Sequence, residues 1–245
     1  VHSRNGEQSA DVLNFKGERQ TMRFRSRSEA GRELAGELDA YAGRDDVLVL
    51  GLPRGGVPVA FEVAVALRAP LDVLLVRKLG VPGHEELAMG AIASGGVLLL
   101  DQNVSQRLRV PRQAIADVID REKRELTRRE ELYRKDRPEP EIPQKSIILV
   151  DDGLATGSSM QAAIMVIRER DPGRIVVAAP VGAREAVESL RKLVDQCVCL
   201  STPPQFKAVG QWYNDFPQTT DEEVMRLLDK RRRIPHRRRF HDDTR

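Results

Sequence analysis

The sequence predicts an α/β fold: a mostly parallel central sheet flanked by helices, carrying one helical insertion that acts as a hood. Three observations predict it. Short runs of branched apolar residues, such as 147–150, are too uniformly apolar for a half-solvated strand and read as strands buried on both faces. Stretches of helical periodicity alternate with these runs, which is the pattern of parallel strands joined by crossover helices. Twice a strand runs through a loop of small residues straight into a helix, at 46–68 and again at 147–170.

In chain order, residues 1–25 are polar and read as a flexible segment. Residues 27–42 read as a helix with Leu34, Leu38 and Tyr41 as its apolar stripe and Ser26 or Ser28 as its cap. A first buried strand at 46–50 leads through Gly51-Leu52-Pro53-Arg54-Gly55-Gly56-Val57-Pro58 into a helix at 59–68. A second buried strand, 71–76, ends in Arg77-Lys78. The Gly- and Pro-rich stretch 79–86 is expected to be irregular, and 89–93 with 97–100 to form a hairpin around Ser94-Gly95-Gly96.

Residues 111–134 read as one long helix, with opposite charges paired four apart at Asp117/Arg121, Glu125/Arg129, Glu130/Arg134 and Glu131/Lys135. Its apolar stripe (Ile115, Ile119, Leu126, Tyr133) is thin and is interrupted by Glu122 and Arg129. Such a helix suits a hood over a site or a contact with a partner subunit. The Pro-rich 137–143 is a stiff linker back to the core.

Beyond the strand at 147–150, residues 158–170 read as a helix with Met160, Ala163, Ile164 and Ile167 on one face. A strand at 174–181, an amphipathic helix at 183–194 and a strand at 196–200 follow. Residues 206–216 then concentrate aromatics, and 221–231 form a short helix capped by Thr220 or Asp221. The chain thus divides into a flexible segment 1–25, a domain 26–230 with its helical insertion at about 102–145, and a tail 231–245 expected to be disordered.

The net charge of +3 hides an asymmetry. From Lys230 onward there are eight Lys/Arg against two Asp/Glu, so the body is slightly acidic and the basic character belongs to the tail. No apolar run approaches a membrane span, and the polar beginning has no signal-peptide core. The two cysteines, Cys197 and Cys199, are two apart in a strand and share a face. They read as buried free thiols of a cytoplasmic protein rather than a metal pair.

The chemistry concentrates in Val150-Asp151-Asp152-Gly153-Leu154-Ala155-Thr156-Gly157-Ser158-Ser159. A strand, a turn of small residues and a helix N-terminus make an anion site, because backbone N–H groups converge there and the helix dipole favours negative charge. Gly157 allows close approach of the backbone, and Thr156, Ser158 and Ser159 add hydroxyl donors. The carboxylates of Asp151 and Asp152 would repel a phosphate, so they suit neutral hydroxyls or a cation. A phosphate beside a pair of hydroxyls describes a ribose 5-phosphate.

This stretch resembles the signature of type I phosphoribosyltransferases, which bind phosphoribosyl pyrophosphate. The resemblance spans about 46–200 and implies that Asp151 and Asp152 hold the ribose hydroxyls while residues 155–159 (Ala155, Thr156, Gly157, Ser158, Ser159) hold the 5-phosphate. The loop at Arg54, Gly55 and Gly56 then corresponds to the pyrophosphate loop, with a cis peptide expected at Pro53–Arg54. The segment after Arg77-Lys78 corresponds to a mobile loop that closes over substrate, shielding the intermediate from water. The implied reaction displaces pyrophosphate from ribose C1 by a nitrogen nucleophile. Asp151 and Asp152 oppose the positive charge that develops on the ribose. Arg54, Arg77, Lys78 and Mg2+ take the negative charge on the leaving group. Magnesium is expected through the pyrophosphate and waters, the acidic pair reaching it only through water.

Ala155 stands where the 6-oxopurine branch of that family has an Asp, which counts against hypoxanthine or guanine as acceptor. Glu85 or Glu86 could accept the proton instead, and Trp212 or Tyr213 could stack on a base. The latter pair suits a core or subunit-contact role equally well. Three functions remain open at this level: a phosphoribosyltransferase, possible as a homodimer; a sensor of phosphoribosyl pyrophosphate that binds nucleic acid weakly through its tail; and a binding module without catalysis. Arg77, Lys78 and the mobile segment favour the enzyme.

Overall fold

The computed structural model describes residues 23–101, 107–108, 110–134 and 138–234. The central sheet has five parallel strands: β1 (Val47–Gly51), β2 (Leu71–Val73), β6 (Ser146–Val150), β7 (Arg174–Val181) and β8 (Gln196–Ser201), in the order β2-β1-β6-β7-β8. Alternation along each strand divides the core in two. Val47, Val49, Ile148, Val150, Val176 and Ala178 face the helices α1 (Arg27–Gly36) and α2 (Gly56–Ala66). Leu48, Leu50, Ile147, Leu149, Ile175 and Val177 face α4 (Ser158–Arg168) and α5 (Arg184–Arg191). Both faces are covered, as the uniformly apolar strand runs require.

A second, antiparallel sheet is built from β3 (Val76–Val81), β4 (His84–Ala93) and β5 (Val97–Leu100). It corrects the expected irregular stretch at 79–86. Pro82 and Gly83 (φ 79°) occupy only the turn, and the residues on either side pair as strands, with register shifts around Gly80. Leu79, Val81, Met89 and Ile92 make this hairpin worth forming, because they bury against α3 (Arg112–Arg134) and α6 (Asp221–Arg233). The hairpin around 94–96 is as expected.

Other boundaries move. The first helix stops at Gly36, with a separate 3-10 turn at Asp39–Tyr41, and Ser26 is its cap. The run 71–76 splits, so that its last residue belongs to the second sheet. On α3 the buried residues are Val118, Glu122, Leu126, Tyr133 and Arg134; Leu126 and Tyr133 are as predicted, while Ile115 and Ile119 are only partly buried. Of the expected i,i+4 pairs whose residues are described, Glu125–Arg129 forms at 2.7 Å. Arg121 turns instead to Glu122, and Arg134 to Asp72 and the Val73 carbonyl.

Helix α6 runs on to Arg233, so residues 231–233 belong to the folded body and not to the expected tail. Arg231 is 1% exposed; its Nε donates to the Ala69 carbonyl and its Nη1 to that of Ile234, both at 3.0 Å. The rest of the expected tail, from 235, lies outside the described residues, as does most of the segment 1–25.

Arg231→Ala leaves the buried Ala69 carbonyl and the half-buried Ile234 carbonyl without these donors and is expected to cost about 1–3 kcal/mol. Arg226→Ala, which removes only an exposed 4.0 Å ion pair with Glu223, is expected to stay within about 0.5 kcal/mol. Urea unfolding of the two variants checks this.

Candidate active site

The strand order places a reversal at β1 and β6: the chain passes from β1 to β2 on one side, and β6, β7 and β8 lie on the other. In an open parallel sheet the loops diverge beyond the C-terminal ends of such a pair, and a ligand crevice opens there. The residues after Gly51 leave β1 at this point, and those after Val150 leave β6 beside them. The acidic pair therefore faces the glycine pair. The Asp152 N–H donates to Asp151 Oδ1 at 2.8 Å. A Cβ on Gly55 would lie 2.1 Å from Asp152 Oδ2, and one on Gly56 would lie 2.9 Å from the Asp151 Cα. Only glycine lets the two loops meet this closely.

Two openings flank this contact. A cavity of about 130 Å³ on the β2 side is lined by Leu52, Pro53, Arg77, Leu126, Arg129, Asp151 and Ser159, among others. A wider one of about 490 Å³ is lined by Arg27, Arg54, Gly55, Asp152, Phe216 and Thr219, among others. Burial pushes the Asp151 carboxyl well above the usual carboxylate range, and the neighbouring Asp152 charge adds to the shift. Burial raises Asp152 too, but Arg27 opposes the rise.

Arg27 is a site residue that sequence reasoning missed. Its Nε donates to Asp152 Oδ2 at 2.8 Å and its Nη1 to the Pro217 carbonyl at 2.7 Å, and the guanidinium lies 3.7 Å from the Phe216 ring centroid. Nothing in the periodicity of α1 marks it. The only signal is indirect: a sunken acidic pair calls for a cation from somewhere. Arg129 is visible in the sequence as an interruption of the α3 stripe, which by itself does not assign it to the site.

In the loop before α4, Gly157 has φ 74° and forms the helix N-cap. The hydroxyls of Thr156 and Ser158 are 2.5 Å apart, and the Ser158 N–H donates to Thr156 Oγ1 at 3.3 Å. Ala155, Thr156 and Ser159 are exposed and Ser158 is half-buried, all four at the crevice end of the sheet. In the loop after β1 the Pro53–Arg54 peptide is cis, as expected. The Gly56 N–H donates to the Leu52 carbonyl at 3.0 Å, so this group is not turned to an anion; Arg54 and Gly55 remain. The Arg54 guanidinium is 3.9 Å from Asp221, which also accepts a hydrogen bond from the Tyr133 hydroxyl.

Other expected residues separate. Arg77 and Lys78 are neighbours within β3, so their side chains take opposite faces, and only Arg77 lines the cavity. Arg77 is held by Glu122, with Nε donating at 2.8 Å. Tyr213 is buried, its hydroxyl donating to the Asp152 carbonyl at 2.6 Å and its ring packed between Phe24 and Phe216. It supports the acidic pair from behind instead of offering a face to a base, because its ring faces are already covered. Trp212 is half-buried with its indole Nε1 buried and without a partner among the described residues. Glu85 accepts from the Gly83 N–H at 3.3 Å and lines neither opening. The side chain of Glu86 lies outside the described residues. Cys197 and Cys199 are free and half-buried, and burial pushes the Cys199 thiol up to about 12, which leaves it unreactive.

Among the described residues no three His, Cys, Asp or Glu side chains gather as a metal cage, and no helix is long and apolar enough to cross a membrane. The donor set at the crevice, two carboxylates of which one is tied to Arg27, fits a divalent ion brought on substrate phosphates and does not fit one held by protein alone.

Residues 82–215 match the model of the phosphoribosyl transferase domain family. The chain belongs to this phosphoribosyltransferase domain family. Two Mycobacterium tuberculosis proteins, from two different strains, are provisionally named phosphoribosyl transferases; each is 46% identical over 210 residues, covering 86% of this chain and 47% of theirs. The chain thus spans about half the length of these curated relatives. The crystal structure of a Thermus thermophilus protein is 46% identical, with a TM-score of 0.78, and the match covers 85% of this chain and 99% of that one. The family match begins at Pro82, after the glycine pair, whereas the acidic motif lies within it.

The raised pKa of Asp151 has a stability consequence. The folded protein holds this proton more tightly than the unfolded chain. The resulting stability is present at low pH and is lost as pH rises through the shifted value. Asp151→Asn is therefore expected to raise the melting temperature at about pH 8, with the gain shrinking towards about pH 4. The Asn Oδ1 can keep the bond from the Asp152 N–H. Thermal melts across pH check the sign.

Proposed function

We propose that this chain transfers the 5-phosphoribosyl group of phosphoribosyl pyrophosphate to a nitrogen nucleophile, releasing pyrophosphate. The observation that supports it most is the convergence of the acidic pair, the hydroxyl loop and Arg77 on one crevice: Asp151, Ser159 and Arg77 line a single cavity at the β1–β6 reversal. In this reading residues 155–159 take the 5-phosphate, where the α4 N-terminus and the Thr156, Ser158 and Ser159 hydroxyls lie. Asp151 and Asp152 accept from the ribose hydroxyls. Accepting those bonds favours the ionised carboxylates, so ligand binding lowers their raised pKa values.

The acceptor's nitrogen lone pair forms the new bond at C1 as the C1–O bond breaks, and that electron pair leaves on pyrophosphate. The ionised acidic pair opposes the positive charge on the ribose in between. Arg54 and Arg77 take the negative charge. When bound, magnesium supplies further neutralisation of the pyrophosphate oxygens. The acceptor enters through the wider opening, past Arg27, Phe216 and Thr219, on the far side of the acidic pair from Arg77. Arg27 yields Asp152 to the ribose and remains tied to Pro217.

The test is pyrophosphate release from phosphoribosyl pyrophosphate across a panel of bases and amines. Acceptor-dependent release is expected with one class. Asp152→Asn is expected to weaken phosphoribosyl pyrophosphate binding by at least about tenfold, the worth of one charge-assisted hydrogen bond. Tight binding without release for any acceptor would instead favour a sensor, and no binding at all would sink the reading. Gly55→Ala, whose Cβ must displace the Asp152 carboxylate, is expected to lose affinity similarly with an unchanged far-UV spectrum.

A further inference from the structure

We propose that the inserted helix α3 supplies a phosphate-binding residue, Arg129, which takes the pyrophosphate end of phosphoribosyl pyrophosphate together with Arg77. The inference rests on the phosphoribosyl reading and adds a residue to it.

The position of Arg129 is unusual for a helix cation. It stands three residues beyond Leu126 and four before Tyr133, in line with the buried stripe, and its side chain is only 22% exposed. An ordinary surface ion pair adds little stability and needs no buried position. What lies beside it is the smaller cavity, where Arg129 and Leu126 stand across from Asp151 and Ser159.

The local charges make the case. Arg77, the other cation of the cavity, is held through both Nε (2.8 Å) and Nη2 (2.7 Å) by the single carboxylate of Glu122. Glu122 also takes Arg121 Nε at 3.1 Å, so it offsets the Arg77 charge only in part, and Asp151 adds a charge of the wrong sign for a phosphate. Lys78 takes the opposite face of β3. A pyrophosphate in this cavity carries more negative charge than the single guanidinium of Arg77 can meet, and so gains from a further cation. Arg129 supplies one: Glu125 is shared between Arg128 (2.9 Å) and Arg129 (2.7 Å), Asp221 between Arg54 and Arg128 (both 3.9 Å), and three positive charges thus meet two negative. The hydrogen bonds from Arg128 and Arg129 hold Glu125 down to about 2, so it stays ionised and keeps Arg129 oriented. Its bond to Arg129 engages Nε, and a guanidinium carries four further donors suited to bidentate contact with phosphate oxygens. The cavity also lies on the Pro53 side of the crevice, where the loop after β1 turns, and meets the 5-phosphate loop only at Ser159.

The test titrates the full chain, as wild type, Arg129→Ala, Arg129→Lys and Arg124→Ala, with phosphoribosyl pyrophosphate, inorganic pyrophosphate and ribose 5-phosphate. Arg129→Ala is expected to weaken the first two by about tenfold or more and to leave ribose 5-phosphate unchanged. Arg129→Lys, which keeps the charge without the fork, is expected to fall between. Arg124→Ala, at an exposed residue of the same helix outside the cavity lining, is expected to bind like wild type. Equal weakening of all three ligands would mean a structural role and overturns the proposal. Unchanged pyrophosphate affinity in Arg129→Ala overturns it while leaving the phosphoribosyl reading intact. A wild type that binds neither pyrophosphate nor phosphoribosyl pyrophosphate overturns both. Should Arg129→Ala fail to fold, Arg129→Lys decides by the same contrast among the three ligands.

Discussion

The close approach of two loops at the ends of β1 and β6 is the constraint on which the rest of the site depends. Parallel pairing of Val47–Gly51 with Ser146–Val150 brings both strand ends to one level, and the chain leaving each must then share the same space. Gly55 and Gly56 make that possible, since a side chain at either would strike the acidic pair. The consequence is electrostatic. Asp151 and Asp152 are pressed against backbone and cut off from much of the solvent, which raises the cost of their charge.

That cost explains the layers around the pair. Arg27 comes from α1, 125 residues away in sequence, to neutralise Asp152. Its guanidinium is in turn fixed by the Phe216 ring and the Pro217 carbonyl, and Tyr213 holds the Asp152 carbonyl from below. The aromatic segment is thus the seat of a cation and of an acidic pair. A half-buried pair of like charges persists because these contacts compensate it, and a ligand that offers hydroxyl donors to the carboxylates competes with Arg27 for the same oxygens.

On the other side of the crevice the same logic runs with opposite sign. The hood helix α3 and the start of α6 present carboxylates to the site arginines: Glu122 to Arg77, Glu125 to Arg129 and Asp221 to Arg54. The arginines are thereby oriented before any anion arrives, and preorganised charges need little rearrangement when a leaving group develops its own. The apolar residues between them, Val118, Leu126 and Tyr133, anchor the helix to the β3–β4 hairpin and α6. One helix therefore both covers the second sheet and faces the site.

By itself, the sequence determined whatever depends on near neighbours in the chain. The buried strands followed from uninterrupted apolar runs, most of the helices from their periodicity, and the anion loop at 155–159 from its small residues between strand and helix. The acidic pair and the glycine pair were legible for the same reason, each being a compact local pattern. The hairpin at 76–93 was not, because composition alone gives Gly80, Pro82 and Gly83 the look of a loop, while the burial that makes strands of it comes from α3 and α6. Tertiary structure alone decided which single charges matter. Arg27 is unremarkable in its own element, Arg129 shows only as a break in an apolar stripe, and packing alone selects Arg77 over Lys78 for the crevice and turns Tyr213 into the core. A side chain's role in the crevice depends on which face of its element turns inward and on the charge it meets there, and that is set by packing between segments far apart in the chain.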